Sequence, residues 1–197
     1  DRADYAAAGL RLHDRFGFER IAVTPDGEDV PVGFDLTFAG LRGAVADPDL
    51  GFFTCRQRHP ENFWRAEHQA HPNTATAIAA VVLVAPDPAD FHEDLAAFAG
   101  VRGFQATSFG LEIPTPRGRI EVLTPAAFRW RHGAETLPED PATLVFKGLR
   151  LTVADLGRAA AMAGIGGFEI TEHAGGFVVA DLCGATLAFE PAGRGRA

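Results

Sequence analysis

The amino-acid sequence predicts an α+β fold of tandem βαβββ modules with mainly antiparallel sheets. The first observation behind this is the stretch from Ala80 to Gly100. An apolar run over Ala80–Ala85 is followed by a turn at Asp87-Pro88, an amphipathic segment and a stop at Gly100. These features read as strand, turn, helix and helix end. The second observation is that the pattern recurs. Asp1-Arg-Ala-Asp-Tyr5 matches Asp87-Pro-Ala-Asp-Phe91, and Gly17-Phe18 matches Gly103-Phe104 at the same separation. A third copy runs from Gly148 through Asp155-Leu156 and the Ala-rich segment Arg158–Ala163 to Gly167-Phe168. Self-similarity of this kind marks a repeated supersecondary unit. Third, short strand-like runs bounded by Gly and Pro follow each copy, as hairpins require.

Taken in order, Arg2–Phe16 predicts a helix with Tyr5, Gly9, Leu12 and Phe16 on one face and Gly17 as its end. Phe18–Val23 suits a strand, and Pro25-Asp-Gly27 a turn. Val30–Leu41 alternates, with Val32, Phe34, Leu36 and Phe38 on one face and Gly33, Asp35 and Thr37 on the other. Gly51–Cys55 is a further strand after a turn at Asp47-Pro-Asp49. This first module, residues 1–57, starts where the second has already completed a strand. Its opening strand is expected from an upstream segment or from another module. A linker over 58–76 leads to the second module, 77–125: strand Ile78–Ala85, helix Ala89–Ala99 with an apolar stripe of Phe91, Leu95 and Phe98, then strands near 104–109, 110–114 and 119–123. A connector over 126–142 carries Phe128 and Trp130. The third module, 143–191, offers strand Leu144–Val153, helix Leu156–Ala163 and strands Phe168–Glu172, Phe177–Asp181 and Ala185–Glu190. Residues 192–197 form a tail.

Composition narrows the function. At 197 residues, with 47% apolar and 22% charged side chains, the chain has the makeup of a globular protein. Its net charge of -8 argues against a nucleic-acid partner, since phosphate binding needs a basic face. No apolar run is long enough to cross a bilayer and no basic-then-apolar leader opens the chain, so a cytoplasmic location is expected. Cys55 and Cys183 lie far apart in strand-like runs and read as buried free thiols. Ser108 is the sole serine and stands outside any Gly-x-Ser-x-Gly elbow, which excludes a serine hydrolase of that kind. Gly164-Ile-Gly-Gly167 lacks the Lys-Ser/Thr of a phosphate loop. Cys55 and His59 are too far apart along a strand to form a thiolate pair.

The repeated βαβββ unit, its "Asp, helix, Gly-Phe" core and the closing strand Arg117-Gly-Arg-Ile-Glu121-Val-Leu123 resemble the vicinal oxygen chelate superfamily. The linker from Phe52 through Arg56, His59 and Trp64 to His68, His71 and Asn73 resembles its glyoxalase-like branch. The resemblance implies a glyoxalase/dihydroxybiphenyl-dioxygenase-like fold, in which curved sheets pair into an open cup. It implies a divalent metal (Mn, Fe, Zn or Ni) at the cup's base, held by a His on a module's first strand and a Glu on its last. The His position falls on Ala80 in the second module and Gly148 in the third; the Glu position falls on Glu121, Ala188 and a residue near Thr54. Only Glu121 can serve as a metal ligand, so the set in this chain is incomplete. Arg56, His59, Trp64 and His71 are the candidate substrate-binding residues, and no catalytic residue is assigned. Two readings stand. One is a cup for a small oxygen-rich molecule, with metal-dependent lyase, isomerase or dioxygenase chemistry completed by an upstream module. The other is a metal-free binding, scaffold or dimerisation module. Three modules in a fold that pairs them raise the expectation of a homodimer or of that missing segment.

Overall fold

A computed structural model of the chain describes residues 1–42, 50–133, 137, 139–173 and 175–192. The turn expected at 47–49 and the tail from 193 onward lie outside the described residues. The chain divides into two compact units, Asp1–Gly43 with Gly51–Ala70, and Ala44–Leu50 with His71–Ala197.

The first unit comprises helix α1 (Arg2–Ala7) and strands β1 (Arg11–Leu12), β2 (Phe16–Val23), β3 (Asp29–Gly40) and β4 (Phe52–Gln57). The helix expected over Arg2–Phe16 is therefore confined to its first two turns. Gly9 adopts a positive φ of 77° and breaks the helix early. Gly17, expected to end the helix, lies inside β2 opposite Asp35. The aromatic pairs explain why the strand wins: Phe16 and Phe18 stand opposite Leu36 and Phe34 across the antiparallel ladder. Strand β3 is central, with β1 and β2 along one edge and β4 along the other. Register puts Phe16, Phe18, Phe34, Leu36, Phe38, Phe53 and Cys55 on one face, and Gly17, Glu19, Gly33, Asp35 and Thr54 on the other. Buried Tyr5 of α1 hydrogen-bonds Thr54 on that second face, leaving the aromatic face free of helix. Residues 60–62 and 66–69 of the expected linker form two 3₁₀ turns within this unit.

The second unit is one eight-stranded sheet. It contains β5 (Ala75–Val84), α2 (His92–Ala99), β6 (Gln105–Thr107), β7 (Gly110–Thr115) and β8 (Gly118–Leu123). After α3 (Pro125–His132) come β9 (Val145–Val153), α4 (Leu156–Ile165), β10 (Thr171–His173), β11 (Gly176–Leu182) and β12 (Ala185–Pro191). Asp87 caps the turn before α2 by accepting from Ala89 N, and Asp155 caps α4 by accepting from Arg158 N. These are the aspartates that the repeat aligned.

Strand order is β10-β11-β12-β9-β5-β8-β7-β6. Each half is a βαβββ module whose first strand runs parallel to its last, β5 to β8 and β9 to β12. The two halves join where β5 meets β9 antiparallel. Glycines at matching points allow the close approach: a Cβ on Gly110 would stand 2.0 Å from the Val122 carbonyl oxygen, and one on Gly176 would stand 1.9 Å from that of Phe189. Helix α4 covers one face, where Ala159 packs with Val153, Phe177, Val179 and Phe189. The other face does not stand open. Helix α3 and Leu137 lie on it, with Ala127, Phe128 and Leu137 packed against Ala80, Val82, Val84 and Leu123. The expected connector is thus part of the core.

Candidate functional site

The face beneath α3 carries the residues that the sequence reading singled out. Val82 stands beside Glu121 on one neighbouring strand and Gly148 on the other; Ala80 stands beside Arg119 and Arg150. The side chain of Glu121 is completely buried, inside a ring of arginines. Arg119 Nε donates to Oε1 at 2.9 Å, Arg131 of α3 donates to Oε2 at 2.8 Å, and an Arg150 guanidinium nitrogen donates to Oε1. Arg150 also grips Glu190 through two nitrogens, and Glu112 lies 3.8 Å from Arg119. Three arginines thus meet three carboxylates. Burial opposes the charge on Arg150, yet Glu121 and Glu190 outweigh it and hold the guanidinium above its ordinary pKa.

These residues do not fit a divalent metal. Both oxygens of Glu121 are taken by guanidinium groups, and a cation beside them would meet three positive charges. At the expected His position of the third module, a Cβ on Gly148 would lie 2.2 Å from the Thr186 carbonyl oxygen, so no side chain of any kind is accommodated. Ala80 is buried in the apolar cluster under α3. Among the described residues no group of three His, Cys, Asp or Glu is placed to hold a metal. Glu121, expected as a metal ligand, is in this structure the hub of an ion-pair network.

Beside this network sits His132, the last residue of α3, 3% exposed. Among the described residues, neither of its ring nitrogens has a hydrogen-bond partner. Burial first, then the charges of Arg131 and Arg150 and the neighbouring His173, push its pKa down to about 3, so the imidazole is neutral.

The first module presents a different surface. Its helix-free face is a chain of rings: Phe16 lies 5.8 Å from Phe18, Phe18 5.1 Å from Phe34, Phe34 5.7 Å from Phe63 and Phe63 5.8 Å from Trp64. Phe38 and Phe53 form a further pair at 5.0 Å. Phe16, Phe53, Phe63 and Trp64 are exposed, Phe16 to 53%. Gln57, directly across from Phe34, holds a buried side-chain oxygen with no hydrogen-bond partner among the described residues. On the opposite face Arg58 lies over Gly17 and Gly33, which leave room for it, and makes a two-pronged pair with Asp35. That bond holds the Asp35 carboxyl below its ordinary range.

The four candidate substrate contacts are not one cluster. Arg56 is exposed on β4 opposite Asp35, on the face away from the rings. His59 lies 3.6 Å from Glu61 in the turn after β4. Trp64 caps the ring chain through Phe63. His71 belongs to the second unit, where its carbonyl accepts from Thr74 N. Sequence reasoning passed over Arg119, Arg131, Arg150 and Glu190. A signal existed for three of them: each is a charge set between apolar neighbours in a strand, which marks a polar stripe on one sheet face.

The glyoxalase-like domain family matches residues 1–99, half of the sequence. The chain belongs to that family, within the vicinal oxygen chelate superfamily. No curated protein matches the sequence. Among solved structures, a hypothetical protein from Staphylococcus aureus is similar with a TM-score of 0.61 and 8% identity, over 97% of this chain and 61% of that one. At that identity the likeness shows the fold, and this glyoxalase-like chain spans 61% of the length of that protein. Methylmalonyl-CoA epimerase from Mycobacterium tuberculosis is similar with a TM-score of 0.48 and 14% identity, over 65% of this chain and 96% of that one. No helix among the described residues is long and apolar enough to cross a membrane.

Proposed function

We propose that this glyoxalase-like chain binds a small, flat, oxygen-bearing molecule on the helix-free face of its first module, and that its second and third modules work without a metal. One contrast carries the reading. In the paired modules that face is filled, with Phe128 of α3 wholly buried on it, whereas in the first module it is a bare aromatic surface. Flat rings favour offset or edge-on contact with phenylalanine. The Gln57 oxygen across from Phe34, buried and without a partner among the described residues, would accept from a ligand hydroxyl inserted between the rings. Lyase, isomerase or dioxygenase chemistry on a metal would need a ligand set, and among the described residues no group of three His, Cys, Asp or Glu is placed to supply one.

Saturation-transfer NMR with 2-naphthol in excess EDTA tests this. Transfer to 2-naphthol, lost when Phe16 and Phe18 are both changed to serine, supports it. Transfer that survives those changes, or that requires added Mn²⁺, contradicts it. A second reading, favoured by the same exposed rings, is self-association through this face. A dimer that Phe18→Glu dissociates, with no 2-naphthol binding, would establish it instead.

A further inference from the structure

We infer that Arg131 is the built-in cation of the paired modules: carried by α3 onto Glu121, it supplies the positive charge that a metal would otherwise bring, and it locks α3 onto the sheet. Charge and topology both lead there. Of the three arginines touching Glu121, two stand on the sheet with carboxylates of their own, Arg119 near Glu112 and Arg150 on Glu190. Arg131 has no other ion-pair partner among the described residues and comes from outside the sheet. Its guanidinium carbon also lies 4.9 Å from the centre of the Phe109 ring, while its neighbour Trp130 stacks on that ring at 5.0 Å. Glu121 and Arg131 are therefore each other's charge balance. The apolar side of α3, Ala127 and Phe128, reaches the cluster of Ala80, Val82, Val84 and Leu123 only when the helix is seated. The ion pair and the apolar plug are two halves of one latch, and the sheet face is occupied by the chain itself.

Removing one partner strands a buried charge, whereas removing both leaves two balanced pairs. The test is a double-mutant cycle of Glu121→Gln and Arg131→Gln, read by urea unfolding with Trp130 fluorescence in a Trp64→Phe background. Each single variant should raise the unfolding equilibrium constant by about a hundredfold or more. The double variant should be more stable than either single one. Arg131→Lys, which keeps the charge, should fold and lose far less than Arg131→Gln, so the idea stays testable if a single Gln variant does not fold. Strictly additive losses in the cycle would overturn the inference. So would a Lys variant as damaged as the Gln variant.

Discussion

Replacing Phe128 with alanine probes whether α3 belongs to the core. Phe128 is the largest fully buried side chain among the described residues, and it packs with Ala80, Val82, Val84, Leu123 and Leu137. All of these but Leu137 lie on a hydrogen-bonded sheet that cannot collapse to fill the gap, so both the transfer and the cavity contributions apply. The expected cost is about 3–5 kcal/mol. A phenylalanine on a solvated connector would cost within about 0.5 kcal/mol. Urea unfolding followed through Trp130, with Trp64 changed to phenylalanine, reads the unit that contains α3 and separates the outcomes. A loss below about 1 kcal/mol would refute the reasoning.

Further outcomes concern charge and space. The His132 pKa is depressed to about 3 in the folded chain, so the unfolded chain takes up the proton first as pH falls. Its contribution to stability is complete above the unfolded value near 6.5 and is lost progressively between there and about 3, at about 1.4 kcal/mol per pH unit. His132→Phe should flatten the decline between about pH 7.5 and 5.5; equal slopes in urea titrations of both proteins would contradict it. Gly148→Ala should destabilise the second unit by about 1–3 kcal/mol or more, since its Cβ meets the Thr186 oxygen at 2.2 Å; an unchanged urea midpoint would speak against that packing. Arg58→Met should let the Asp35 carboxyl rise toward 3.8, seen by carboxyl NMR, and no rise would rule out the pairing.

The second and third modules were legible because their signals are local. Capping aspartates 87 and 155, apolar strands and stops such as Gly100 lie within a few residues of what they control. The first module misled because Asp1–Gly17 copies the helix pattern in letters, while Phe16 and Phe18 are claimed by Leu36 and Phe34, 20 and 16 positions away on β3. Glu121 was found as the one carboxylate in its strand. Its environment was not, because Arg131 and Arg150 reach it from ten and 29 positions along the chain. The same limit hid α3: residues 125–132 read as a connector until the sheet they cover is assembled.

The most direct measurement is a Mn²⁺ titration of the chelator-treated protein followed by electron paramagnetic resonance. A carboxylate enclosed by guanidinium groups predicts that the free-ion signal grows in proportion to added Mn²⁺, with Glu121→Gln behaving alike. Signal withheld until one ion per chain is bound, and restored by Glu121→Gln, would contradict the account.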